Sequence, residues 1–409
     1  MIKKFKQYSI VNLISTSISF VQFYVLIKLQ IQYLGIENRG ILILIQTSVG
    51  LLATIVRFGI NQAVLHELTI GKNDRVLSNY YLLSFFQMII FLVLIYCIIK
   101  FNILIDLNYG FNLIPLGIYL ITYFIYQTLT YFSFFLLSIW KYSLITILFN
   151  TLNILFIILF KSSRTLDGIF ISIASSQVLC SIILSIYLPK LRLIDLNKLT
   201  IKKLLIDGLN VFGWSLFKDL IYKIDIFLFA NRISQTDFGV YTVLRDLLYS
   251  VWRVTDPIIS SLTKAYSEYN TKVLKFMKYV IVYSILSMLI SPLIVFLINI
   301  YSKNYLHMDT IVLISKMYIV FFAFSVLFFV IWKSIASLYV INKINRPVYI
   351  SLLIFFLVLA SLYRFITELK FVFLTMSLSY IAATFYLIYS FNNFNLKNQN
   401  EKKHQVIVP

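Results

Sequence analysis

Twelve ionisable side chains lie inside stretches of sequence that are otherwise apolar, and they bound the chemistry available to this chain. The basic ones are Lys28, Arg57, Lys218, Lys223, Arg245, Arg253, Lys316 and Lys333; the acidic ones are Asp219, Asp225, Asp246 and Asp256. A charge at mid-bilayer costs at least about 2.5–3.5 kcal/mol on insertion scales. Charges at that cost must pair, snorkel or line water. A guanidinium cannot shed its charge and grips phosphate through a planar fork, which singles out Arg57, Arg245 and Arg253. With eight bases against four acids, the buried polar region carries a positive excess and suits an anionic ligand. Lys28, Arg232, Lys316 and Lys333 stand near the ends of apolar runs, where snorkelling to the headgroups accounts for them.

Spacing orders these residues further. Thr242, Asp246, Ser250, Arg253 and Pro257 stay on one face at 100° per residue. Gln46, Gly50, Arg57 and Asn61 make a parallel stripe, and Asn12, Ser15, Ser19 and Gln22 make a third. Asp219 and Lys223 are four apart, and Lys218 and Asp225 seven apart, so each pair can meet along one helix. Both pairs read equally well as structural neutralisation. Tyr123, Tyr126, Gln127, Thr130 and Tyr131 share overlapping faces. Stacking on sugar rings is one reading of them; tyrosine facing lipid or the interface is the default.

The elements that must position these groups are membrane helices. Hydrophobic residues are 60% and charged residues 13% of the 409, against roughly a quarter charged in soluble domains. Twelve spans are expected, near 8–30, 40–63, 79–100, 112–138, 143–160, 167–188, 209–231, 238–262, 279–300, 311–335, 347–363 and 371–391. Each approaches the roughly 20 residues a crossing needs. The first is expected as an uncleaved helix, because no small-residue cleavage site follows it. If the N-terminus is inside, twenty of the 36 Lys and Arg face the cytoplasm and eight face outward. That bias predicts an even number of spans with both termini cytoplasmic. Much of the formal charge of +20 is then a topology signal facing anionic lipid, not a nucleic-acid signal.

The longest polar connection, 189–207, sits at the midpoint and interleaves Leu191, Ile194, Leu199, Leu204 and Leu205 with Arg192, Lys198, Lys202 and Lys203. That pattern predicts a short basic helix in the cytoplasmic interface. It divides the chain into a six-helix lobe (1–188), the linker (189–207), a second six-helix lobe (208–391) and a cytoplasmic tail (392–409). Aligning Gly40 with Gly239 puts both at the outer end of the second helix of a lobe, a weak internal repeat of the kind secondary transporters carry around a central cavity. Spans 7 and 8, with 1 and 2, read as a polar inner wall; the others, span 3 included, read as scaffold. Enzyme chemistry finds no support. His66, His307 and His404 fall outside the spans, and no phosphate loop, zinc spacing or nucleophile elbow occurs.

Two stretches carry a resemblance. Tyr33-Leu34-Gly35-Ile36-Glu37-Asn38-Arg39-Gly40, with Arg57-Phe58-Gly59-Ile60-Asn61-Gln62-Ala63, resembles the start of Wzx-type polysaccharide flippases of the multidrug/oligosaccharidyl-lipid/polysaccharide exporter superfamily. Lys223-Ile224-Asp225-Ile226-Phe227-Leu228, then Phe238-Gly239-Val240-Tyr241, is similar to that family's seventh and eighth helices. The resemblance implies an all-α, two-lobe, alternating-access flippase in the bacterial cytoplasmic membrane. Its substrate would be an undecaprenyl-diphosphate-linked oligosaccharide for O-antigen or capsule. Its partners would be membrane lipids and other polysaccharide-assembly membrane proteins, with no cofactor and with proton or sodium coupling left open. Under it, Arg57, Lys223, Arg245, Arg253, Gln46 and Asn61 are candidate substrate contacts. Lys218, Asp219, Asp225, Asp246 and Asp256 are candidates for coupling or gating. The first span departs from expectation in holding no arginine. The alternatives are a cation-coupled exporter of the same superfamily, which would favour acids in the first lobe, and a polymerase or ligase, which would need a long outer loop.

Overall fold

In a computed structural model of the protein, the described residues are 2–61, 74–100, 112–160, 164–188, 195–230, 232–243, 316–341, 346–366 and 369–405, with isolated positions between them. All regular structure among them is helical. Seven helical stretches among them are long and apolar enough to cross a membrane. The chain is an all-α, multi-pass integral membrane protein. Large apolar side chains such as Phe85, Phe86, Ile90, Val93 and Ile186 point outward, a surface that lipid solvates and water would not.

Helix α1 (Ile2–Arg57) holds the first two crossings without a loop, broken only at Gly35 (φ 77°, ψ 168°). That conformation is open essentially to glycine alone. The Asn38 side chain donates to the Leu34 carbonyl at 3.1 Å across the break. Arg39, expected in an outer loop, is wholly buried, because a one-residue turn leaves no loop to hold it. After α1 come α2 (Asp74–Lys100), α3 (Leu113–Leu136), α4 (Ile139–Leu159) and α5 (Leu166–Tyr187). Asn112 caps α3 by accepting from the Ile114 N–H at 3.1 Å, and Thr165 caps α5 through the Gly168 N–H at 3.3 Å. Asp167, in the first turn of α5, accepts from the Asn112 N–H at 2.9 Å and so ties the two starts together. Tyr119 and Tyr126 are buried, not lipid-facing, and Tyr126 stacks on Phe149 at 4.7 Å.

Helix α6 (Lys198–Ala230) is a single helix of 33 residues, about 50 Å long. The second half of the expected interfacial linker is therefore its first three turns, not a separate element. No proline interrupts the run, and Gly208, its first weak point, is held by close packing. Asn79 of α2 anchors the start: its amide donates to the Asp195 carbonyl at 2.9 Å, and its oxygen accepts from the Asn197 N–H at 2.8 Å. Lys203 bridges to Glu67 at 2.9 Å. The hydrogen bond to Glu67, then its charge, raise the Lys203 ammonium above the ordinary lysine value. Asn79 is wholly buried, and Asn79→Ala removes both of the part-buried bonds that it makes to Asp195 and Asn197. Its expected effect is a loss of about 1–2 kcal/mol, read as a lower Tm of the detergent-solubilised protein.

By packing, the chain divides into Lys6–Phe227 and a second unit of Leu228–Pro409 with Met1–Phe5, so α6 belongs to the first unit almost to its end. In the second unit, α7 (Lys316–Ile341) and α8 (Arg346–Leu362) pack on α9 (Leu369–Gln405). Small hydroxyl residues join them: Trp332 Nε1 donates to Ser351 Oγ at 3.1 Å, Thr384 Oγ1 to the Phe328 carbonyl at 2.9 Å, and Tyr339 to Ser390 at 3.1 Å. Helix α9 continues the last crossing through residue 405 of the expected tail. The crossings expected at 238–262 and 279–300 lie largely outside the described residues.

Candidate functional site

The first unit brings polar side chains from four helical segments to one place. On α1, Gly50, Thr54 and Arg57 recur at spacings of four and three and share a face. On α6, Asp219 and Lys223 follow at four. The Thr54 hydroxyl donates to the Asp219 carboxylate, and Lys223 Nζ reaches the same oxygen at 3.3 Å. A Cβ on Gly50 would sit 3.0 Å from Lys223 Nζ and 3.3 Å from the Tyr123 hydroxyl. The missing side chain at position 50 is thus the space that the lysine tip occupies.

Arg57 ends α1 beside this pair. Its guanidinium lies over the Phe124 ring, 4.8 Å from the centroid, and Nη2 is 3.5 Å from the Phe124 carbonyl. Its Nε is buried with no hydrogen-bond partner among the described residues. The hydroxyls of Tyr80, Tyr123 and Tyr131 lie within Coulombic reach of the guanidinium, and Tyr123 also within reach of Asp219. Gln87 of α2 donates to the Val56 and Arg57 carbonyls, each at 3.2 Å, and so satisfies two acceptors in the last turn of α1 that have no helical partner. Tyr80 donates to Asn61. Among these described residues two cations face one carboxylate, leaving a positive excess in a tyrosine-rich setting.

Of the residues expected from sequence, Arg57, Lys223 and Asp219 come together. Asn61 is one step away through Tyr80, and Gln46 is half-buried one turn before Gly50. Asp225 is buried, but six residues after Asp219 it faces another side of α6. The Lys218 side chain, and all of Arg253 and Asp256, fall outside what is described. In the second unit, Arg245 and Asp246 are largely buried neighbours with Nη1 and Oδ1 3.9 Å apart. The helix that carries them is started by Ser234, which accepts from the Asp237 N–H at 3.1 Å. Thr54, Tyr80 and Gln87 were missed as site residues, and Tyr123 was read only as a stacking surface or a lipid-facing tyrosine. Helix α2, whose span was expected as scaffold because no charge was placed inside it, supplies two of them; its signal was the one glutamine, Gln87, in the largely apolar run 80–99.

No protein-family model matches the sequence, and no curated protein matches it either. Solved structures do match over nearly the whole chain. An outward-facing multidrug resistance MATE family transporter of the MOP superfamily superposes with a TM-score of 0.67 at 14% identity, covering 97% of this chain and 96% of that one. The lipid II flippase MurJ, in an inward closed conformation, gives 0.65 at 14% identity over 94% of this chain and 87% of its own. The fold is that of the MOP-superfamily transporters. A further MOP-superfamily transporter, from Pyrococcus furiosus and described as having a binding pocket of reverse polarity, gives 0.62 at 12% identity over 96% and 95%. On this MOP-type fold, the Arg57–Asp219–Lys223 group belongs wholly to the first packing unit.

Proposed function

We propose that the protein is a flippase. It moves an undecaprenyl-diphosphate-linked oligosaccharide, an O-antigen or capsule repeat unit, across the bacterial cytoplasmic membrane by alternating access. The observation that carries this reading is the Arg57 guanidinium, held on Phe124 with its Nε buried and unpaired, on the same face of α1 as Gly50, where the Lys223 tip sits. A diphosphate supplies an acceptor for the Arg57 Nε, and its lipid tail can stay in the bilayer. The likeness to a lipid II flippase supports a lipid-linked substrate. The cation-coupled exporter is less well served: the carboxylate closest to hand, Asp219, is already engaged by Lys223 and Thr54.

Arg57→Glu is expected to cut translocation of lipid-linked oligosaccharide at least tenfold, scored as surface polysaccharide in a strain dependent on this gene. The amount of inserted protein should not change. Arg57→Lys should keep part of the activity, having the charge without the fork. The same reversal at Arg253 tests the second-unit candidate. Undiminished polysaccharide from Arg57→Glu would sink the assignment.

A further inference from the structure

The first turns of α6 present an arc of helix that the fold does not use. Lys198, Leu199, Lys202, Leu205, Ile206 and Leu209 are all exposed along it, with Leu199 at 76%. The opposite face is fixed to the first unit through buried Leu204 and the close approach of Gly208 to Phe58. Lys203, at the rim, is engaged with Glu67. Neither Lys198 nor Lys202 has an ion-pair partner among the described residues.

Three observations place this arc and name its occupant. First, Glu67 lies just past the expected second crossing and Asn79 at the start of the third, so their partners Lys203, Asp195 and Asn197 sit at a membrane boundary. Second, α6 is about 50 Å long, more than three turns longer than a roughly 30 Å hydrocarbon layer; with its crossing expected at 209–231, the extra turns are those at its start. Third, the charges run against the helix: there is no acid in the first turn, and cations at a helix N-terminus oppose its dipole. Helix stability therefore does not explain the lysines, whereas an external anion does. Alternating lysines and exposed leucines fit a surface with anionic heads above and acyl chains beneath.

From this we infer that the arc from Lys198 to Leu209 is a docking surface for anionic phospholipid headgroups, with Lys198 and Lys202 as the headgroup contacts. The inference does not depend on what is transported. Because the arc is clamped to α2 through Asn79, a lipid bound there meets a rigid surface continuous with the helix that carries Asp219 and Lys223.

The test uses full-length protein in detergent, offered equal amounts of phosphatidylglycerol and phosphatidylethanolamine, with retained lipid counted by native mass spectrometry. Wild type should retain phosphatidylglycerol preferentially. Lys198→Gln with Lys202→Gln should lower that preference roughly tenfold or more, and the double arginine variant should keep it. Lys203→Gln should also keep it, because that ammonium is spent on Glu67. An unchanged preference in the double glutamine variant overturns the inference, as does loss in the arginine variant or an equal loss in Lys203→Gln. Excess inorganic phosphate is a final arm: retention in its presence supports a lipid surface, and displacement of phosphatidylglycerol overturns it in favour of a bare anion site.

Discussion

Gly59→Ala is expected to remove folded protein from the membrane fraction, the largest effect of any single substitution considered. Two independent penalties coincide at this residue. Its φ of +69° is left-handed, which costs an alanine about 1–2 kcal/mol. The added Cβ would also collide with the Gly208 carbonyl oxygen and lie 3.0 Å from the Phe212 nitrogen. Both obstacles are backbone, so no rotamer relieves them. The neighbourhood is already committed, since Phe58 itself has a positive φ of 47° and stacks on Phe212 at 4.9 Å. Gly35→Ala is the matched control. Position 35 has its own backbone penalty, of about 1–3 kcal/mol, but nothing within 4 Å of a new Cβ, so it should pay that strain alone and still insert. Fluorescence-detected size exclusion of tagged variants separates the cases: Gly59→Ala should give no monodisperse peak, and Gly35→Ala a reduced one.

The second large effect concerns the Asp219–Lys223 pair and decides between a structural and a functional role. Lys223→Asp leaves two carboxylates on one face of α6 and leaves Arg57 as the cation on that side. It should abolish translocation. Swapping the pair, Asp219→Lys with Lys223→Asp, restores an i,i+4 ion pair in the same environment. If the pair only neutralises charge, the swap recovers both inserted protein and transport. If Lys223 serves the substrate, the swap recovers insertion but leaves transport at least tenfold down. The cation would then sit a turn away, next to Thr54, and no longer between Gly50 and Tyr123. We expect the second outcome. Equal recovery of both readouts would assign the pair to folding alone.

What could be read from the sequence follows the range of the interaction involved. Crossings such as 167–188 need only composition and length, and α5 runs Leu166–Tyr187. The Asp219–Lys223 contact needs only helical spacing. Thr54 meets Asp219 across 165 residues, and no local pattern encodes how α1 and α6 are rotated to face each other. Gly59 stood out in a motif, yet its reason, a neighbouring glycine on α6, is a tertiary fact. That the second half of the linker continues into α6 was hidden for the same reason. A basic amphipathic run looks alike whether it stands alone or opens a longer helix, and Asn79, more than a hundred residues upstream, anchors the start of that helix. Tyr126 was assigned by the habit of its residue type, which packing against Phe149 overrides.

The membership of α6 in the first unit has a consequence for exchange between related proteins. A crossover placed in the polar 189–207 stretch, the obvious seam by composition, would take Asp219 and Lys223 from one parent and Gly50, Thr54 and Arg57 from the other. Gly59 and Gly208 would also become strangers. A crossover after Phe227 keeps each of these sets within one parent. Recombinants of this chain, natural or engineered, should therefore survive at that joint and fail at the linker.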